Sequence, residues 1–347
     1  MKPPYLIAEV GVNYYDTAKE EGITPLEAAK FYIDKVAESG ADAVKFQTYK
    51  AETLASKDSP AYWDQSKESA NCQYDLFKKF DSFNEAEYRE LASYAKEKNI
   101  DFMSTPFDFA SADYLDDLMD IYKISSSDIT NFPFLEHIAK KGKPVYLSTG
   151  ASNLSEIDEA LRVLENAGCE DVCLLHCVLS YPTKLNDANL SMITGLKKAF
   201  PHVKIGYSDH TMPDEAMCVL TTAFLKGAEV IEKHFTLDKN LEGNDHYHAG
   251  DPEDFRKAVD AFQRICDISG SEERRSVLPC ESESRLQARR SIVLTKDVEV
   301  GHRIERDDLT FKRPGTGISP KDIEKVVGRE MKQAAKEDDR LTWFMLG

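Results

Sequence analysis

Eight short apolar runs in this 347-residue sequence end in side chains that carry chemistry. Glu9 closes the first, and Lys45 with Gln47 the second. Ser104 and Thr105 follow the third, and Lys123, Ser125 and Ser126 mark the fourth. Ser148 and Thr149 follow the fifth, and His176 the sixth. Ser208, Asp209 and His210 follow the seventh, and Glu232, Lys233 and His234 the eighth. Any one of them could simply solvate a strand end, but eight in succession point to a shared site. Lys45, Thr105, Lys123, Ser126 and Ser148 supply cations and short hydroxyls, the donors that a phosphate or carboxylate needs. His210 and His234, at the ends of neighbouring strands, are two imidazoles that with open positions can hold a divalent metal as a Lewis acid. His246 and His248 form a second candidate cluster, or else belong to a solvated loop after the eighth run. Cys173 and Cys177 fall on one face of a strand and read as core rather than as a metal site.

The elements that must position these residues are short. The runs span 5–10, 43–46, 100–103, 121–124, 145–147, 172–175, 203–205 and 228–231. Between them lie amphipathic stretches, including 25–39, 85–98, 154–167 and 214–226, with a last one at 252–269. Asn84 and Asn153 stand at helix-start positions. Eight such pairs fit a (β/α)8 TIM barrel of about 270 residues, whose strand ends converge on one face. An open doubly wound sheet is the alternative, but no glycine-rich fingerprint follows the first strand.

After residue 270 the pattern changes. Residues 271–285 are polar and read as a linker, 291–295 as a strand, 298–303 as a turn, 313–317 as a Pro/Gly loop and 320–327 as a helix. The expected division is a barrel over 1–272, a linker over 273–287 and a small β-rich domain over 288–347. The net charge of −17 argues against sequence-independent binding to nucleic acid or anionic lipid. Residues 285–347 carry 14 basic and 11 acidic side chains, leaving 30 basic and 50 acidic in the rest. A slightly basic tail thus follows a strongly acidic body. No apolar run approaches a membrane span, the N-terminal apolar stretch is too short for a signal peptide, and seven scattered Cys suit a reducing cytoplasm.

The motifs also carry a resemblance. Ile7-Ala8-Glu9-Val10-Gly11-Val12-Asn13 and Ala41-Asp42-Ala43-Val44-Lys45-Phe46-Gln47-Thr48 resemble the sialic acid synthase family. So do Ser104-Thr105-Pro106-Phe107-Asp108, Tyr122-Lys123-Ile124-Ser125-Ser126, and Leu147-Ser148-Thr149-Gly150. His176-Cys177 with Tyr181-Pro182, Gly206-Tyr207-Ser208-Asp209-His210-Thr211 and Glu232-Lys233-His234-Phe235-Thr236-Leu237-Asp238 follow in order. The tail, with Ala288-Arg289-Arg290-Ser291 and Lys312-Arg313-Pro314-Gly315, is similar to the family's antifreeze-like (SAF) domain.

The resemblance implies a TIM barrel that condenses phosphoenolpyruvate (PEP) with an open-chain 2-acetamido sugar such as N-acetylmannosamine. It implies a divalent metal, Mn2+ first, with Mg2+ or Co2+ as alternatives. It also implies a homodimer in which each tail domain caps the partner's barrel. Lys45, Thr105, Lys123, Ser126, Ser148 and Ser208 would bind PEP, and His210 and His234 the metal. Gln47, Tyr181, Asp245 and Arg313 would contact the sugar, Arg313 in trans. Glu9 and Glu232, with Lys45 and Lys123, would be catalytic. Tyr14 stands where the family usually has His, and Leu179 where an Asn or Ser often meets PEP. Residues 16–24 look like a longer first loop, and 248–250 differ from the usual Ser-containing loop. Acceptors of the legionaminic or pseudaminic kind, 6-deoxy-diacetamido sugars, remain open. A sugar-phosphate synthase and a non-catalytic carbohydrate-binding protein are the rival readings.

Overall fold

Side chains that alternate between two faces of a strand can bury one face in a barrel lumen and the other against helices. Eight strands do so here: β1 Tyr5–Gly11, β2 Ala43–Thr48, β3 Asp101–Pro106, β4 Tyr122–Ile124, β5 Val145–Ser148, β6 Val172–Cys177, β7 Lys204–Asp209 and β8 Val230–His234. All pairings are parallel, in the order β3-β2-β1-β8-β7-β6-β5-β4. The three-residue β4 lies beside β3 and brings the sheet round to a near-closed (β/α)8 barrel. The computed structural model describes residues 1–61, 63, 65, 68–81, 83–243, 245–270 and 275–347.

Inside the lower barrel, Ile7, Met103, Tyr146, Cys173, Leu175 and Val230 form an apolar plug. The opposite strand faces, with residues such as Leu6, Val44, Leu147, Leu174 and Ile231, pack on the surrounding helices. Those helices start where local chemistry dictates. Thr24, Asn84, Asn153 and Asp251 each accept a backbone N–H, while Glu27, Glu87, Glu156 and Asp254 reach back to them. Pro25 and Pro252 occupy first helical turns, where a missing N–H costs nothing. Ile157, Ala160, Leu161 and Leu164 form the buried stripe of Leu154–Asn166.

Most expected elements are present, with instructive differences. Seven of the eight strands run past the apolar runs, by one to four residues at the C-terminal end, so the polar residues lie largely on the strands themselves. The helix expected over 214–226 spans only Cys218–Leu225. The Asp214 carboxylate captures the N–H groups of Ala216 and Cys218, at 3.1 and 2.8 Å, and holds the preceding residues in a turn. The expected first loop over 16–24 is mostly helix, Tyr14–Glu21, ended by left-handed Gly22.

The chain divides into two compact units, Met1–Gly270 and Ser271–Gly347. The expected boundary at 272/273 lies outside the described residues. The expected linker is partly helical, over Pro279–Glu281 and Ser282–Ala288, with no buried residue. Beyond it, β9 Ser291–Leu294 pairs antiparallel with β10 Leu309–Lys312. Ile292, Leu294, Ile304, Val326 and Leu341 give this unit its own core. The helix expected over 320–327 is a tighter 3-10 turn, Pro320–Lys325.

Gly206 on β7 shows how closely the barrel is packed. A Cβ there would meet Leu175 Cδ2 at 2.3 Å and the Val230 carbonyl oxygen at 2.6 Å. Gly206→Ala is expected to destabilise the protein by on the order of 1–3 kcal/mol. Gly195, inside helix Ser191–Ala199, has open space around it. Gly195→Ala is expected to stabilise by roughly 0.5–1 kcal/mol. Denaturant unfolding of both variants reads the opposite signs.

Candidate active site

Strand parity decides which polar residues meet. Glu9, Lys45, Gln47, Thr105, Lys123, Ser148, Cys177, Ser208, Glu232 and His234 point into the barrel above the apolar plug. Together with Phe107, Ser125, Ser126, Leu179, Tyr181 and His210 from the loops they line one small cavity of about 60 Å³. The intervening residues face the helices. Asp209 and Lys233 form a fully buried ion pair there (2.5 Å), with Tyr207 and Thr211 bonded to the same carboxylate. His176 stacks on Tyr207 and meets the Ala188 carbonyl at 2.9 Å. Ser104 bonds Thr48 at 2.6 Å. The expectation that these four share the site is therefore corrected: a period of two sends alternate residues to opposite sides of the sheet.

At the centre, four charges sit together with side chains no more than 7% exposed. Lys45 pairs with Glu9, bonds Thr105 at 2.9 Å and lies 3.7 Å from Glu232. Lys123 lies 3.7 Å from the other oxygen of Glu232, which also accepts from Ser208 at 3.0 Å. Gln47 donates to Glu9 at 2.9 Å. The two carboxyls are driven apart. Burial raises Glu9 to about 7, and Lys45 offsets this only in part. Burial acts on Glu232 too, but Lys123 and Lys45 outweigh it and hold the group well below its usual value. Burial lowers Lys123. It also opposes charge on Lys45, but Glu232 and Glu9 outweigh it and raise that group. One carboxyl able to hold a proton beside one kept ionised is the arrangement that separates acid from base.

Hydroxyls surround this group. Ser126 accepts the Gly150 N–H at 2.9 Å, and buried Ser148 Oγ makes no hydrogen bond. On the far wall the rings of His210 and His234 are 5.4 Å apart, with Tyr181 4.3 Å from His210. His210 Nδ1 donates to the Val178 carbonyl at 3.0 Å, which directs Nε2 as the lone-pair nitrogen. His234 Nδ1 is buried without a hydrogen bond, and burial lowers this imidazole to about 3, so it stays neutral. Two neutral-capable imidazoles, one orphaned, fit a divalent cation with its other positions open. Among the described residues no three His, Cys, Asp or Glu side chains are arranged to hold an ion.

Some residues stand elsewhere than expected. Cys177, expected in the core, lines the cavity 3.8 Å from His210, whereas Cys173 is in the plug. His246 and His248 are fully buried, not in a solvated loop. Asp245 reaches the site, 3.8 Å from His234. Tyr14 takes no place in the cavity; it stacks on Tyr15 and Phe83 at 4.6 and 4.9 Å. Leu179 lines the cavity, and Arg313 lies in the second unit, just after β10.

Residues 32–274 match the NeuB family, and residues 289–347 the SAF domain. The chain belongs to the NeuB family. Over 344 residues it is 39% identical to the N,N'-diacetyllegionaminic acid synthase of Campylobacter jejuni, covering 98% of this chain and 99% of that one. It is 31% identical over 341 residues to the human N-acetylneuraminate-9-phosphate synthase, covering 98% and 91%. The crystal structure of a sialic acid synthetase from Leptospira borgpetersenii, in complex with citrate, matches with a TM-score of 0.69 at 35% identity. That match covers 82% of this chain and 90% of that one. The barrel and tail of this NeuB-family chain thus have relatives across nearly their whole length.

The divergent carboxyls have opposite linkage. Glu9 holds its proton more tightly folded than unfolded, so the wild type should lose stability relative to Glu9→Gln as pH rises from 4.5 to about 7. Glu232 is depressed, so its contribution is present above 4.5 and is lost as pH falls toward about 2. At neutral pH Glu232→Gln, which takes the carboxylate away from buried Lys123, is expected to cost about 3–5 kcal/mol. Unfolding midpoints of the three proteins across a pH series check both slopes.

Proposed function

We propose that this chain is a nonulosonic (sialic) acid synthase. It would join PEP to an open-chain 2-acetamido sugar, with water, giving a nine-carbon 2-keto-3-deoxy acid and phosphate. The observation that carries this reading is the cavity where Lys45 and Lys123 converge with Thr105, Ser126 and Ser148 beside Glu9, Glu232 and two imidazoles. Lys45 and Lys123 bring positive charge to a substrate with phosphate and carboxylate groups, and the free Ser148 hydroxyl supplies a donor. C3 of PEP, an enol ether carbon, attacks the sugar C1 aldehyde. The C2 cation that results takes up water; one water proton passes through ionised Glu232 or Glu9 to the alkoxide formed from the aldehyde oxygen, and the other leaves with phosphate as its C–O bond breaks and the C2 ketone forms. His210 and His234 would hold a divalent metal, Mn2+ first among candidates and Mg2+ or Co2+ after it. When bound, the metal supplies Lewis-acid polarisation of the aldehyde oxygen. Gln47, Tyr181 and Asp245 would orient the sugar.

A second reading shares the chemistry and changes the acceptor to a 6-deoxy-diacetamido sugar, as for legionaminic or pseudaminic acid. The higher identity to a diacetyllegionaminic acid synthase than to a neuraminate-9-phosphate synthase favours it. In both, we infer a homodimer in which the SAF unit of one subunit brings Arg313 to the partner's barrel. An arginine there has five donors for an acyl carbonyl. Within the described residues no helix is long and apolar enough to cross a membrane, which agrees with a cytoplasmic synthase.

Phosphate release from PEP, measured against a panel of acetamido sugars, tests the reading and separates the acceptors. His210→Ala, His234→Ala and EDTA should each abolish turnover while the fold remains, and metal should reverse the EDTA effect. Lys45→Ala should raise the PEP KM and lower kcat, a loss on the order of 2–5 kcal/mol for an unpaired charge in a dry site. Full activity after metal stripping, or wild-type kinetics in Lys45→Ala, would refute these assignments.

Co-expressed Arg313→Ala and Lys45→Ala chains test the dimer. If the arginine acts in trans, a mixed dimer has one site with both residues intact and regains activity that neither variant shows alone. Verified heterodimers without activity would exclude the trans arrangement.

A further inference from the structure

Helix-facing positions on this barrel are filled by apolar side chains such as Leu6, Val44, Leu147, Leu174 and Ile231. Asp209 and Lys233 break that rule. They stand directly opposite one another on β7 and β8, with side chains no more than 2% exposed and the ammonium 2.5 Å from the carboxylate. A buried ion pair is often no more stable than well-packed apolar residues of the same volume. What this pair does that two apolar side chains could not is visible in its other bonds.

Apart from the Tyr207 hydroxyl, which donates to the carboxylate at 2.8 Å, those bonds meet on the chain just after β7. Asp209 accepts the Thr211 N–H at 3.0 Å and the Thr211 hydroxyl at 3.2 Å, an Asx turn that spans His210. Lys233 donates to the Thr211 carbonyl at 2.9 Å. Thr211 is therefore held by its N–H, its hydroxyl and its carbonyl. His210 lies between these two anchored residues and lines the cavity. Its Nδ1 donates to the Val178 carbonyl at 3.0 Å, and its own carbonyl accepts the Thr183 N–H at 2.8 Å. The segment so pinned, 178–183, carries Tyr181, whose ring centre lies 4.3 Å from that of His210.

We infer that the Asp209–Lys233 pair is a positioning device: acting through Thr211, it fixes the direction of the His210 imidazole and with it the placement of Tyr181. Neither Asp209 nor Lys233 lines the cavity. The inference rests on the synthase reading above for its effect on turnover; the direction of the ring stands on the hydrogen bonds alone. Lys45, Thr105, Ser126 and Ser148 come from β2, β3, β5 and the turn after β4, away from this pair. Loss of the pair should therefore act on the step at His210 and leave PEP binding in place.

The test replaces both charges with apolar side chains in the full-length chain. One variant is Asp209→Leu/Lys233→Met; a second adds Tyr207→Phe, which removes the hydroxyl that would lose its partner. Thermal unfolding identifies the folded variants, and either one suffices. The first readout needs no activity: long-range 1H–15N spectra of the histidine rings in metal-free protein at alkaline pH, with His210 assigned by its loss in His210→Gln. Wild type should show His210 as a single tautomer protonated at Nδ1, and the variants a mixture of tautomers. The second readout is kinetic: kcat should fall on the order of 10–100-fold, the scale of a small misplacement at a reacting centre, while the PEP KM stays within about twofold. An unchanged His210 ring pattern in a folded variant, or wild-type kcat there, would overturn the inference and leave the pair as packing. A wild-type chain that releases no phosphate from PEP with any acetamido sugar would overturn the synthase reading instead. The ring spectra would still decide the positioning of His210, so the two failures are distinct.

Discussion

Placing two ammoniums and two carboxylates in one dry space is the constraint on which the rest of this structure depends. Desolvating any one of Glu9, Lys45, Lys123 or Glu232 alone would be prohibitive; together they offset one another. The dryness has visible sources: an apolar plug beneath, and helices covering the outer strand faces. An incoming trianion would disturb that balance, since it competes with Glu9 and Glu232 for the same lysines. A carboxyl poised to take a proton beside one that stays ionised lets the cavity absorb that competition without stranding a charge.

The sequence made much of this legible because the relevant rules are local. Asn84 and Asn153 marked the starts of Glu85–Glu97 and Leu154–Asn166, since a cap acts within three residues. Apolar runs located all eight strands but not their ends, because the runs stop where the inward face turns polar. Asp209 and Lys233 were misplaced for the same reason: identity at a strand end is readable, while facing depends on register. The Asp214 turn competed with a helix pattern and shortened it. Strand β10 was not anticipated, its three half-buried residues and one exposed residue being too few to show an alternation. The burial of His248 is a tertiary property that no local pattern records.

Relatives named for different nine-carbon acid products are similar to this chain across nearly its full length. Their names differ while their matches to this chain span nearly the whole length, which is what one shared scaffold produces. In this chain the cavity walls divide accordingly. The strands contribute the charges and most of the hydroxyls, while Leu179 and Tyr181 come from a connecting segment outside the buried ion cluster.

The alternation of faces also sets how such a chain can change length. On β8, Glu232 and His234 face the cavity while Lys233, between them, is committed to Asp209 on the helix side. Deleting or adding a single residue below this triplet would turn Lys233 into the lumen and press Glu232 and His234 against the helices. The reaction centre and the barrel's outer packing would fail in one event. The connecting loops are the places where length can change freely, and within an unbulged stretch of strand the reading frame of the fold shifts only in steps of two.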